Sequence, residues 1–104
     1  METTVTCRHG DISDDLRARA VEVLTRFGHI SPHALEGTAL FDTHPVPFTV
    51  ELRLHVRRGQ ILVSQAEDRD PRTALDRAEE KLKRQLERAV AAVRGPGRSS
   101  SRSA

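Results

Sequence analysis

Between residues 48 and 57 the chain reads FTVELRLHVR, and every second side chain is apolar. Phe48, Val50, Leu52, Leu54 and Val56 alternate with Thr49, Glu51, Arg53, His55 and Arg57. A period of two sends one set to a core and the other to water, so this segment is a strand in a sheet with one covered face. Arg58–Gly59 follows as a tight hairpin turn, and residues 60–66, QILVSQA, return as the partner strand. The rest of the chain must supply the cover.

Two segments have the period for it. Ser13 precedes Asp14 and Asp15, a good cap followed by acids that complement a helix dipole. Leu16, Ala20, Val23, Leu24 and Phe27 then make one apolar face, predicting a helix over 14–27 with Gly28 as its stop. Asp70–Pro71 opens a second helix, carried on by Leu75, Ala78, Leu82, Leu86, Ala89, Val90 and Val93 and stopped by Gly95–Pro96. Residues 3–8, TTVTCR, are β-branched enough for a strand. A further strand is expected over 34–43, irregular near Gly37 and ended by Pro45 and Pro47. The order is β-α-β-β-β-α. The expected fold is α+β, a four-stranded antiparallel sheet with both helices packed on one face. Residues 1–94 form the domain, and 95–104 form a disordered basic Gly/Ser/Arg tail.

At 104 residues, one domain and one modest core are expected. Aromatic residues are 3%, all Phe, so no stacking platform for unpaired bases is expected. No apolar run approaches the ~20 residues that span a bilayer. The N-terminus lacks the layout of a secretory signal, and Cys7 is alone. These features fit a cytoplasmic protein without a membrane partner. Charge is uneven along the chain. Residues 1–68 hold 7 basic and 10 acidic residues, a net of −3, and residues 69–104 hold 10 and 5, a net of +5. Attraction to a polyanion therefore belongs to the C-terminal third.

That charge is patterned. At 100° per residue, Lys81, Arg84 and Arg88 fall within about 40° of Arg77, giving a basic stripe about three turns long. Its charges recur every ~5–6 Å, comparable to phosphate spacing along a nucleic-acid strand. Arg suits phosphate because its planar fork bonds two oxygens at once. Asp76, Glu80 and Glu87 line a neighbouring stripe, and a solvated helix face with pairs such as Glu80–Arg84 is the plainer explanation. His9, His29, His33, His44 and His55 show no paired spacing for a metal. Glu67, Asp68 and Asp70 are better explained as capping groups than as a cation site. No glycine-rich phosphate loop and no activated nucleophile is recognisable, so neither an enzyme, nor a cofactor, nor a small-molecule substrate is expected.

Three segments carry a resemblance: DISDDL at 11–16, AEDRDPRTALD at 66–76 and EKLKRQL at 80–86. Together they resemble the ribosome hibernation-promoting factor and ribosome-associated translation inhibitor family over about residues 4–90, the closing helix being the specific part. The resemblance implies a fold like a double-stranded-RNA-binding domain with an extra strand. It also implies binding to 16S-type rRNA in the decoding region of the small ribosomal subunit, where tRNA and mRNA access is blocked under stress. Carried across, Lys81 and Arg84 match the family's basic positions most directly. Arg77 and Arg88 extend that face, Lys83 lies in the same segment, and Arg8 matches a position that is often polar or basic. Pro71–Arg72 replaces the family's aromatic after Asp70. The long family form adds a second domain that pairs ribosomes, so this chain is expected not to pair them alone and to be monomeric off the ribosome. Two other readings stand beside this one: a general structured-RNA-binding module, and a protein-interaction domain without an RNA partner.

Overall fold

The computed structural model describes residues 1–31, 33–44 and 46–94, with side chains to residue 89. The expected tail at 95–104, the Gly95–Pro96 stop, the role of Pro45 and the packing of Val90 and Val93 lie outside the described residues.

The elements run β1 (Glu2–Arg8), α1 (Asp14–Ile30), β2 (Ala34–Asp42), β3 (Phe48–Val56), a short turn of helix (Arg57–Gly59), β4 (Ile61–Asp68) and α2 (Pro71–Arg94). The strands lie in the order β1-β2-β3-β4. The expectation of an antiparallel sheet needs correction. β2, β3 and β4 pair antiparallel, but β1 pairs parallel to β2, Val5 opposite Ala39 and Cys7 opposite Phe41. The cause is α1, a crossover that brings the chain back to the end of the sheet where β1 began.

Both helices cover the same face. Ala39 and Phe41 of β2, Val50, Leu52 and Leu54 of β3, and Leu62 and Ala66 of β4 are buried against Leu16, Ala20, Val23, Leu24 and Phe27 of α1 and Ala74, Leu75, Ala78, Leu82 and Leu86 of α2. One buried polar group joins this layer: Ser64 Oγ donates to Ala78 O at 2.7 Å.

Ser13 caps α1 as expected, accepting from Leu16 N at 3.1 Å. Gly28 does not stop it. The helix runs on to Ile30 and ends at Ser31, whose N–H donates to Phe27 O at 2.9 Å. The glycine provides space instead, since a Cβ at Gly28 would meet Met1 Cε at 3.2 Å. The irregularity of β2 is a register shift between Ala34 and Glu36, slightly before Gly37. β4 runs two residues beyond its expected end because Glu67 and Asp68 still pair with Thr49 and Phe48.

Candidate nucleic-acid interface

α2 is placed by its first turn. Pro71 occupies the first helical position, and Asp70 Oδ2 accepts from Thr73 N at 3.2 Å and Thr73 Oγ1 at 2.8 Å. The Thr73 hydroxyl is the main cause that holds the Asp70 carboxyl below its ordinary range. Asp68 accepts from Asp70 N at 3.0 Å and lies 3.5 Å from the Arg77 guanidinium. The acids at the β4–α2 junction thus serve as caps and as a partner for one stripe cation.

From that start the helix presents three faces. Its apolar face covers β3 and β4. One flank meets α1, where Arg19 lies 3.4 Å from Asp76 and Arg26 lies 2.7 Å from Glu79. The other flank runs beside the outer edge of β4. There Lys81 Nζ donates to Gln65 O at 2.8 Å and Gln85 Nε2 donates to Val63 O at 2.5 Å. β4 is an edge strand, so these bonds satisfy carbonyls that no neighbouring strand reaches. Arg17 does the same at the opposite edge, donating to Val5 O at 2.9 Å.

Arg77, Lys81, Arg84 and Arg88 are all exposed. Arg77, Lys81 and Arg84 share a shallow groove with Glu80, Ala66 and Glu67 of the helix and the β4 edge. No Glu80–Arg84 ion pair forms, and Arg84 and Arg88 have no acidic partner among the described residues. Asp76 is turned to α1, so it does not neutralise the stripe. Two candidates stand apart. Lys83 is exposed but falls about 130° from the stripe's centre, on the α1 flank with Asp76 and Glu79. Arg8 ends β1, at the far edge of the sheet from β4, and lies 3.8 Å from Asp42. Asp42 also receives the His9 ring at 3.0 Å, the main cause that lowers its carboxyl.

The sheet's second face is open. It carries Thr6, Glu36, Thr38, Leu40, Glu51, Arg53, His55 and Ile61, with Arg53 held 2.8 Å from Glu51. Arg57 is not on this face but in the hairpin turn. The Cys7 thiol is half-buried, and burial first, then Asp11, pushes its pKa up. Among the described residues no group of three His, Cys, Asp or Glu side chains is arranged to hold a metal, and no helix is long and apolar enough to cross a membrane.

Sequence reasoning missed Gln85. Its signal was available: it lies one turn beyond Lys81, between the stripe and the apolar face, where a polar side chain meets the sheet edge.

The sequence model of the Sigma 54 modulation protein / S30EA ribosomal protein family matches residues 3–94. The chain belongs to this family. The family is a ribosome-associated one. Among solved structures, the chain resembles a ribosomal subunit interface protein from Coxiella burnetii, with 24% identity and a TM-score of 0.78 over 88% of this chain and 99% of that one. It also resembles the N-terminal domain of Protein Y from Thermus thermophilus, with 22% identity and a TM-score of 0.72 over 85% and 98%. Both likenesses concern the fold. No curated protein matches.

Proposed function

We propose that this protein binds the small ribosomal subunit through α2 and arrests translation by occupying the decoding region, where it keeps tRNA and mRNA out. The observation that carries the reading is the outer flank of α2. Arg77, Lys81, Arg84 and Arg88 stand exposed along one helix, and Arg84 and Arg88 form no ion pair among the described residues. Such a row fits the phosphates of a folded RNA. Membership in a ribosome-linked family favours ribosomal RNA as that RNA, and the Coxiella relative is called a ribosomal subunit interface protein.

Cytoplasmic location, action as a monomer and a role in stress belong to the same proposal. The helix would bind as a preformed surface, because its core face and both flanks are already tied down. Ordering entropy lost on binding is then small.

The test is co-sedimentation with purified small subunits, together with cell-free translation. The protein should pellet at low salt, leave at high salt and inhibit translation. A protein that stays in the supernatant at low salt overturns the reading. The competing reading is a general structured-RNA-binding module, since phosphate contacts alone do not distinguish one A-form RNA from another. An excess of plain RNA duplex separates the two, because it displaces a general binder and leaves a ribosome-specific one in the pellet.

A further inference from the structure

The Lys81–Gln65 and Gln85–Val63 bonds also fix how far α2 reaches. Four helical residues advance about 6 Å and two strand residues about 6.6 Å, so helix and strand stay level as they run antiparallel. Continuing that match sets residue 89 beside Ile61 and residue 93 beside Gly59. Arg84 and Arg88 therefore lie between Arg77 and the tip of the β3–β4 hairpin.

That tip is Arg57–Arg58–Gly59. Both arginines are exposed, and neither has an ion pair or a side-chain hydrogen bond among the described residues. Residues 52–66 contain no acid at all. On β4 the acids, Glu67 and Asp68, lie at the other end of the strand, near Arg77, and on β2 Glu36 lies opposite His55 but forms no ion pair with either tip arginine. The tip is also held in place. Val56 N donates to Gln60 O at 2.8 Å, and Arg57 N donates to His33 O at 3.0 Å. Arg58 adopts φ 68 and ψ 26, a left-handed conformation in which glycine would be less strained. Packing gives no reason for a long cation there, so what Arg58 offers at this position is its exposed charge.

We infer that the Arg57–Arg58 tip is a second phosphate-contact element, which prolongs the α2 stripe into one basic track along the backbone of a structured RNA. The stripe from Arg77 to Arg88 is about 16 Å long, and the tip brings the track to about 25 Å. This rests on the RNA-binding reading above. Continuity with a stripe at phosphate-like spacing favours RNA over an acidic protein, whose carboxylates have no such regular repeat.

The experiment compares wild type with the double variant Arg57→Gln, Arg58→Gly for binding to purified small subunits across a salt series. Gly accepts φ 68 without strain, so the double variant should melt close to wild type. Two lost phosphate contacts should flatten the plot of log affinity against log salt by about 1.4–1.8. A slope equal to that of wild type overturns the inference. If the double variant does not fold, Arg57→Gln alone, which leaves the turn's backbone as it is, carries the test at about 0.7–0.9. If wild type itself fails to bind subunits at low salt, the ribosomal reading falls. The tip is then judged by the same slopes on a plain A-form RNA duplex, where binding unaffected by the variants overturns it.

Discussion

The Lys81 ammonium donates to the main-chain carbonyl of Gln65 at 2.8 Å, joining the basic stripe of α2 to the edge of the sheet. An ammonium has three donors, and this bond uses one. The other two have no protein partner among the described residues, and Lys81 lines the groove shared with Arg77 and Arg84. Lys81 therefore has two tasks, closing a strand edge and offering charge, whereas Arg84 and Arg88 have only the second.

Changing Lys81 to Ala should therefore lower stability as well as binding. The lost bond contributes about 0.5–1.5 kcal/mol, at the low end because water can reach the freed carbonyl. Adding Gln85→Ala removes the second edge bond, to Val63 O at 2.5 Å. The double variant should melt lower still and self-associate, because it uncovers a stretch of unpaired strand edge. Thermal melting and size-exclusion chromatography at rising concentration check both effects. A monomeric double variant would show that the edge needs no cover.

Ser13→Ala tests the start of α1. Its hydroxyl accepts from Leu16 N at 3.1 Å, and loss of such a cap costs about 1 kcal/mol. A domain of this size should lose roughly 4–8 °C in melting temperature. Small-subunit binding at a temperature where the variant remains folded should be unchanged, since the Ser13 hydroxyl bonds Leu16 N and is not part of the outer flank of α2.

Acid should weaken the fold through Asp70 and Asp42. A hydrogen bond from Thr73 to Asp70, and one from His9 to Asp42, hold both carboxyls below the ordinary value of about 3.9. A depressed folded pKa gives stability that is fully present above the unfolded value and lost as pH falls through the folded one. These two groups should therefore leave melting unchanged from pH 7 down to about 5 and lower it below about 4. In the variant Asp42→Asn, Asp70→Asn the fall below about pH 4 should be shallower. An unchanged slope would assign the acid sensitivity to other carboxylates.

The elements and the basic stripe were legible because helix and strand periods are local. Leu75, Ala78, Leu82 and Leu86 repeat at a spacing that only a helix turns to one side, and Arg77, Lys81, Arg84 and Arg88 repeat on another. Strand direction was not local in this sense. The parallel pairing of β1 with β2 depends on where α1 returns the chain, although β-α-β order with a long helix was the available clue. Gly28 misled because glycine can end a helix or make room, and only the position of Met1 decides which. The edge bonds of Lys81 and Gln85 depend on a distance between residues about 16–22 apart in sequence, which no window of helical pattern contains.

Position on α2, not net charge, should decide inhibition. Arg84 and Arg88 lie on the outer flank without acidic partners among the described residues. Lys83 and Arg72 lie on the α1 flank, about 20–40° from the Asp76 and Glu79 positions. The variants Arg84→Gln, Arg88→Gln and Arg72→Gln, Lys83→Gln therefore lower net charge equally but at different places. Neither pair touches the core, so both should melt within about 0.5 kcal/mol of wild type. Hydrogen bonds to charged groups contribute about 1.5–3 kcal/mol each. Losing two on the outer flank should weaken small-subunit binding by roughly a hundredfold or more, at about 1.4 kcal/mol per tenfold. The α1-flank pair should change it by only a few-fold, through the general field, and less as salt rises. Cell-free translation with each variant, titrated at two salt concentrations, reads both effects. Equal loss from the two pairs would mean that overall charge drives binding, and would remove the outer flank of α2 as the specific contact.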